Sequence, residues 1–326
     1  MFLAAVPYDS LIGVEQHFLH IPDGFLSIGV SLVCWAITVI ILAVAIRRTE
    51  GELAERQIPL MGVMAAFIFA AQMINFPVAG GTSGHMVGGA LAAITLGPWA
   101  AMLVMTAVIS VQALLFQDGG LLVMGANILN MGLITAVIGY GLYRAVQGQS
   151  TAVRLSVAGM AAWLSVMAGA LLTGLQLWLS GTSPLTIVMP AMLGIHAVIG
   201  IGEALITVAA LAFILRTRPG LLGEPGTAHG GRGWIAVGGL ATLAVLLLAP
   251  LASANPDGLE WVAEELGFLE AGLEAPYEIL PDYTVPFLGE TAVSTILAGI
   301  VGALVVVGVI VLSVKWVQRR PLASNS

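Results

Sequence analysis

The sequence predicts an all-α polytopic membrane protein: a seven-helix bundle followed by a C-terminal two-helix hairpin with an extracytoplasmic loop. Of its 326 residues, 59% are apolar and only 9% are charged. That is too few charged residues to cover a water-facing surface. The apolar residues run continuously for about 20 residues at a time, the length of a membrane-spanning helix, whereas barrel strands would alternate. The 11 basic residues all fall on one side of the resulting spans.

Nine apolar segments account for the helices, seven before residue 216 and two after it. They cover residues 25–46, 58–78, 84–97, 99–116, 121–143, 155–179, 188–215, 234–253 and 291–314. The third is short and Gly-rich, and Gly97-Pro98 separates it from the fourth, so we expect a short, partly re-entrant helix that other helices bury. The positive-inside rule makes the basic side cytoplasmic. The protein is therefore expected in the cell membrane with its N-terminus outside.

The chain divides into four parts. Residues 1–18 have neither the basic nor the apolar region of a signal peptide and are interpreted as an N-terminal extension. Residues 19–216 form the seven-helix domain, 217–232 a Gly/Pro-rich cytoplasmic linker, and 233–320 a two-helix domain. The outer loop of that last domain, 254–290, carries nine acidic residues and no basic one. It either attracts cations or is simply a solvated loop.

Composition and motifs exclude several classes of function. A net charge of −7 argues against nucleic acid as a partner, and the single cysteine excludes a disulfide framework or a multi-thiolate metal site. The chain has no phosphate-binding glycine motif with its lysine, so it is not expected to hydrolyse ATP. Ser-His-Asp, HExxH and CxxC patterns are missing too. The sequence predicts neither an enzyme nor a cofactor. It predicts that membrane lipid surrounds the chain.

Two histidines are predicted at the outer face, and polar groups are costly at membrane depth. His20 precedes the first span, and His85 follows a Gly-rich stretch at the start of the short helix. Imidazole nitrogens suit nickel, cobalt, copper and zinc. The pair therefore indicates a small nitrogen-rich metal site; the alternative is two hydrogen-bonded interfacial histidines.

Further polar residues are candidates for orienting these histidines. Asn127 and Asn130 are three apart and hence on one helix face, where they either orient a histidine or join helices. Asp118 lies at a turn and is expected to cap a helix or to stand behind a histidine. Ser83, in the loop that leads to His85, is another such candidate.

His196 and Glu203 lie seven residues apart, which places them on one side of the seventh span. They indicate either a proton relay or a structural role. A relay would make the protein a proton-coupled secondary metal-ion transporter, but the repeats or paired carboxylates of such a transporter are not visible. A third possibility is a non-transporting membrane sensor or assembly protein without selective metal affinity.

With these residues in view, the sequence resembles the substrate-capture component of cobalt/nickel energy-coupling-factor transporters, the CbiM/NikM type. The matching stretches are HIPDGFLS at 20–27, GGTSGHMVGGALAAITLGPWAAM at 80–102, LLFQDGGLLVMGANILNMG at 114–132 and HAVIGIGEALIT at 196–207. The C-terminal part resembles the family's small PDGLE accessory partner through NPDGLE at 255–260. Chains that fuse both parts are similar to the nickel type.

The resemblance implies capture of Ni(II) or Co(II) at the outer face, with nickel favoured and cobalt uptake tied to cobalamin biosynthesis. It implies a transmembrane coupling protein and two cytoplasmic ATPase subunits as partners. It also implies that the C-terminal hairpin controls insertion of the N-terminal segment into the site.

The ligands that the resemblance implies are His20, through its side chain and backbone nitrogen, and His85. In the family the chain begins Met-His, and the terminal amine completes a chelate that suits nickel. Here His20 follows Leu19 and eighteen further residues, so the amine is missing. One resolution is that the Leu19 codon is an initiator read as methionine, which makes Leu19 the amine donor. If the extension is real, His17 replaces the lost nitrogen.

Overall fold

The computed structural model of the protein describes residues 19–49, 57–222 and 233–318. In this part of the chain, seven helices are long and apolar enough to cross a membrane, which confirms the predicted all-α membrane fold. In chain order, the helices are α1 Ile28–Thr49, α2 Gln57–Gln72, α3 Gly89–Leu96, α4 Pro98–Val111, α5 Met124–Asn127, α6 Ile134–Arg144, α7 Thr151–Leu179, α8 Leu185–Thr217, α9 Gly233–Leu248, α10 Gly258–Glu265 and α11 Ala292–Gln318.

Two of the membrane-length helices contain π-helical turns. One turn, Gln112–Phe116, extends α4, and another, Ile128–Leu133, joins α5 to α6 into one span. Such turns often occur at functional sites because they redirect side chains. Here the first leads directly into the turn that carries Asp118, and the second begins directly after Asn127.

The short third segment is a buried helix, as its Gly-rich sequence predicts. Helix α3 has only 8 residues, and it packs against α4, α6 and α7. It ends at Gly97, which has φ 82°, a conformation that glycine adopts readily. Pro98 then starts α4, because a proline at the first helical position loses no hydrogen bond.

The second predicted span is longer than the helix that forms. Helix α2 ends at Gln72 rather than reaching 78, and the strands β1 Phe76–Val78 and β2 Thr82–Gly84 pair antiparallel with Phe76 opposite Gly84. Pro77 cannot continue a helix because it lacks a main-chain N–H. The resulting hairpin delivers His85 directly after β2.

The C-terminal helices pack onto the bundle and support a folded loop. Helices α9 and α11 lie against α2, and α11 also contacts α4. Between them, the loop 249–291 contains α10, which the sequence analysis did not predict. Asp257 and Glu260 form a capping box at its start, each side chain accepting the other residue's main-chain N–H. These two acidic residues are buried, whereas the other seven in the loop are exposed to solvent.

Candidate metal-binding site

Two of the predicted site residues meet at one end of the bundle. The ring centroids of His20 and His85 lie 5.6 Å apart in an edge-to-face arrangement. Both side chains are buried, with 2% and 9% of their surfaces exposed. His20 comes from the segment before α1, and His85 is the residue directly after the strand β2. The fold therefore brings the two imidazoles together in a place screened from solvent.

His20 leaves one ring nitrogen free. Its Nδ1 lies 3.2 Å from the main-chain oxygen of Asp118 and 3.2 Å from the carboxylate Oδ1 of the same residue. Its Nε2 is buried without a hydrogen-bond partner among the described residues. Burial lowers the pKa of His20, but the charge and hydrogen bonds of Asp118 outweigh burial and raise this pKa overall. With Nδ1–H donated to Asp118, the lone pair of Nε2 is available to a metal ion.

Each ring nitrogen of His85 lies near a main-chain carbonyl group. Its Nδ1 lies 3.0 Å from the main-chain oxygen of Met86, and its Nε2 lies 3.2 Å from that of Leu19. Because a neutral imidazole has a single N–H, one of these nitrogens presents a lone pair. Burial, followed by the nearby His20, lowers the pKa of His85. This keeps the ring neutral, the form that binds metals.

Asp118 does not cap a helix. Its carboxylate accepts the hydroxyl hydrogen of Tyr283 at 2.5 Å and faces His20 on the other side. Burial raises the pKa of Asp118, but the opposing charge of His20 and these hydrogen bonds hold it below the usual value overall. Asp118 is therefore the carboxylate that stands behind His20. Its partner Tyr283 was not foreseen, because no local spacing links residues 165 apart.

The two asparagines serve different elements. Asn127 accepts the main-chain N–H of Ile21 at 3.1 Å and donates to the oxygen of the same residue at 3.0 Å, which clamps the backbone beside His20. Asn130 instead bonds Gln176 and Thr173 on α7. Asn127 thus supports the site, and Asn130 joins helices.

Ser83 contacts the C-terminal loop rather than a histidine, so it is not a direct partner of either ring. Its hydroxyl donates to the main-chain oxygen of Asn255 at 2.8 Å, and its N–H donates to that of Pro256 at 2.8 Å. The strand that leads to His85 is therefore docked onto the residues just before α10.

His196 and Glu203 lie near the site but differ in role. His196 lines the cavity around the histidines, and its Nδ1 lies 2.8 Å from the main-chain oxygen of Met192. The Glu203 carboxylate accepts the N–H groups of Val87 and Gly88 at 2.7 and 2.9 Å, one on each oxygen. Glu203 therefore holds the backbone just after His85. His17 lies outside the described residues.

Asp23 is a further residue that sequence reasoning missed. Its two carboxylate oxygens accept the N–H groups of Leu121 at 3.0 Å and Val123 at 3.1 Å. The next residue, Gly24, has φ 95°, and its main chain passes so close to the oxygen of Ala271 that a Cβ would not fit. The turn at Asp23 and Gly24 therefore holds the N-terminal segment between the residues that follow Asp118 and the C-terminal loop.

A cavity of about 80 Å³ adjoins the two histidines. A water molecule needs at least roughly 10–15 Å³ of such space, so an ion with a few waters fits. In the described part of the chain, no three side chains of His, Cys, Asp or Glu form a group that could hold a metal. An ion at the two imidazoles would therefore need main-chain nitrogens or water as further ligands. The cavity is lined among others by Leu19, Asn130, His196 and the buried Asp257.

Comparison with known proteins decides the family. The model of the cobalt uptake substrate-specific transmembrane region, CbiM, matches residues 20–221, and the PDGLE domain model matches 232–319. The chain belongs to the CbiM family. The resemblance noted from the sequence motifs is thereby confirmed.

Relatives of this CbiM-family chain are named as transport proteins. It is 36% identical over 301 residues to a putative fused nickel transport protein NikMN of Archaeoglobus fulgidus, covering 88% of this chain and 95% of the relative. It is 30% identical over 338 residues to the fused nickel transport protein NikMN of Rhodobacter capsulatus, covering 89% and 96%. The crystal structure of a truncated transition metal transporter is similar, with a TM-score of 0.55 and 35% identity over 60% of this chain and 98% of that one. The CbiM-family chain is thus a multi-pass membrane protein of a metal transport family.

Proposed function

We propose that this protein captures Ni(II) or Co(II) at the extracytoplasmic face of the membrane for ATP-driven uptake by an energy-coupling-factor transporter. The observation that carries the proposal is the pair of buried imidazoles, whose ring centroids lie 5.6 Å apart, beside a small cavity. His20 and His85 are the metal ligands in this proposal. The cargo is an ion rather than an organic molecule because imidazole nitrogens are the converging polar groups.

Nickel is the preferred cargo. The relatives that span both parts of the chain carry nickel in their names, whereas the family model is named for cobalt.

The Leu19 oxygen lies 3.2 Å from Nε2 of His85, so the main chain at Leu19 stands beside the second imidazole. An amine at Leu19 would add a nitrogen at this point if translation starts there. Intact mass of the purified protein tests this: a chain beginning at position 19 supports the amine donor, and an intact Met1 contradicts it.

The distribution of basic residues supports an orientation in which the histidines lie at the outer face. The described basic residues stand at the C-terminal ends of α1, α6, α8 and α11 and at the start of α7, away from the histidines: Arg47, Arg48, Arg144, Arg154, Arg216, Arg218 and Lys315. By the positive-inside rule, the site end is extracytoplasmic. Residues 19–216 form the capture domain and 233–320 an accessory domain, joined by the linker 217–232, of which 223–232 lie outside the described residues.

Energy must come from partner subunits, namely a transmembrane coupling component and cytoplasmic ATPases. The alternative, a proton-coupled transporter using Glu203 and His196, is less well supported because both carboxylate oxygens of Glu203 hold main-chain N–H groups. A group so engaged is an anchor rather than a mobile proton carrier.

Proteoliposomes that contain the full chain with its coupling and ATPase subunits test the proposal. We expect Ni(II) uptake that requires ATP hydrolysis and stops when the ATPase lysine is replaced. An imposed proton gradient without ATP is expected to drive no uptake. Uptake driven by the gradient alone would contradict the proposal and favour the secondary transporter.

A further inference from the structure

An apolar groove lies between the two C-terminal helices and the bundle. It is formed by α2, α9 and α11 and has a volume of about 730 Å³. Among the described residues that line it, only Thr242 and Lys315 have polar side chains. The hydroxyl of Thr242 already donates to the main-chain oxygen of Gly238 at 3.0 Å. The groove therefore suits an apolar occupant that carries one charged group.

Close helix contacts narrow the groove at its deep end. Helix α9 approaches α2 at Gly238, where a Cβ would not fit beside Val63. Helix α11 approaches both other helices at Gly299, where an added Cβ would lie 2.6 Å from Leu246 and 3.0 Å from Met73. Glycine allows such close approaches between membrane helices. Since Ile300, the next residue, lines the groove, the groove begins beside this contact.

The dimensions of the groove match a lipid chain. Ile300 and Lys315 both line it and lie fifteen residues apart on α11, which corresponds to about 22 Å. One leaflet contributes about 15 Å to the hydrocarbon core of a bilayer, so the groove covers the full depth of one leaflet. A volume of about 730 Å³ over this length gives a cross-section of roughly 33 Å², less than half of the roughly 80 Å² of a helix about 10 Å across. An acyl chain therefore fits better than a helix of another protein.

Lys315 stands at the other end of the groove. It is the only lysine of the chain, lies in the last turn of α11 and is exposed. It has no carboxylate partner among the described residues. The neighbouring Trp316 is of the residue type that marks the headgroup level of a membrane. In the proposed orientation this end faces the cytoplasmic leaflet, whose surface is negatively charged.

We propose that the groove binds one anionic phospholipid of the cytoplasmic leaflet, with an acyl chain along α11 and the phosphate on the ammonium group of Lys315. The inference goes beyond metal capture, since it uses the proposed orientation but none of the metal ligands. Basic pockets between membrane helices on the cytoplasmic side bind anionic headgroups. Because apolar helices gain no hydrophobic driving force against each other in lipid, their association depends on packing. The acyl chain supplies packing contacts between α2 and the two C-terminal helices, and so joins the two parts of the chain.

Native mass spectrometry of the purified full chain tests the proposal, with titration of phosphatidylglycerol or phosphatidylcholine of identical acyl chains. We expect one phosphatidylglycerol to be retained per chain in preference to phosphatidylcholine. Lys315→Gln should lower the affinity for phosphatidylglycerol about five-fold, the worth of one basic residue at an anionic surface, and leave phosphatidylcholine binding unchanged. The control is Arg216→Gln, in the last turn of α8. It is expected to change neither affinity.

A second variant fills the groove. Gly239 lines it, and nothing lies within 4 Å of an added Cβ, so Gly239→Leu should fold normally and exclude the acyl chain. We expect the retained phosphatidylglycerol to be lost. Gly141→Leu is the matched control, because Gly141 has the same free space and lines an apolar groove of about 640 Å³ between α6 and α7 without a basic residue among its described lining. That variant should retain the lipid. Thermal unfolding verifies that both variants fold.

Three outcomes would overturn the inference. Equal retention of the two lipids by the wild-type chain would mean that the groove holds ordinary surrounding lipid. An equal loss of phosphatidylglycerol affinity in Lys315→Gln and Arg216→Gln would mean that the headgroup recognises overall charge rather than this site. Unchanged lipid retention in Gly239→Leu, together with weaker binding of the coupling subunit, would assign the groove to a protein partner.

Discussion

The hydroxyl of Ser83 donates to the main-chain oxygen of Asn255 at 2.8 Å, which joins the strand that leads to His85 to the loop before α10. Replacing Ser83 by Ala should lower the free energy of unfolding by about 1 kcal/mol, the typical net worth of one hydrogen bond. Chemical denaturation of the detergent-solubilised protein measures this. The control is Ser180→Ala, since the buried hydroxyl of Ser180 has no partner among the described residues. An equal loss in both variants would contradict the docking role.

The clamp of Asn127 on Ile21 predicts a linked loss of stability and metal affinity. Asn127→Ala leaves the buried main-chain N–H of Ile21 unpaired, at a cost of about 1–3 kcal/mol, whereas the oxygen of Ile21 still accepts the N–H of Gly120. Because Ile21 follows His20, we expect Ni(II) affinity to fall as well. Asn130→Ala is the control: it removes the bonds to α7 and should lower stability with a much smaller effect on affinity. Equal effects on affinity would show that Asn127 has no special relation to the site.

Gly119 is expected to tolerate no side chain. Its φ is 94°, and a Cβ would approach the Cβ of His20 and the amide of Asn127, both at 2.9 Å. Gly119→Ala should therefore displace His20 and weaken Ni(II) binding. Gly181→Ala is the matched control, since Gly181 has φ 77° with nothing within 4 Å of its added Cβ. It imposes the same kind of backbone strain without crowding, so loss of binding in that variant too would contradict the explanation.

Glu203→Gln distinguishes an anchor from a proton relay. Glutamine offers a single acceptor oxygen, so either Val87 or Gly88 loses its partner and the segment after His85 loosens. We expect lower stability and weaker Ni(II) binding, with the remaining uptake still dependent on ATP. Transport assays in proteoliposomes, paired with a binding titration, check this. Abolished uptake with unchanged metal affinity would instead identify Glu203 as a relay.

Local sequence patterns predicted the helices well because apolar run length and Gly97-Pro98 are local signals. They failed at Pro77. The apolar run predicted a helix there, whereas the structure has a strand, although the proline within the run already indicated that a helix would end. The capping box of Asp257 and Glu260 was also visible, but the charged stretch was interpreted only as an outer loop that either attracts cations or is simply solvated.

The candidate site was predictable only in part. His20 and His85 were identified from motifs and resemblance, whereas their mutual approach depends on how the strand β2 and the N-terminal segment pack. The partnership of Asp118 with Tyr283 joins residues 165 apart, and Ser83 likewise bonds a distant main chain. Spacing along a helix carries no information about such contacts. For the same reason, three-residue spacing grouped Asn127 with Asn130, although their partners lie on different elements.

Calorimetric titration of the purified full chain with Ni(II) tests the central claim most directly. We predict that the wild-type protein binds the ion, that His20→Ala and His85→Ala each abolish binding, and that His229→Ala, a histidine in the linker, leaves it unchanged. Retention of wild-type affinity by His85→Ala would contradict the account.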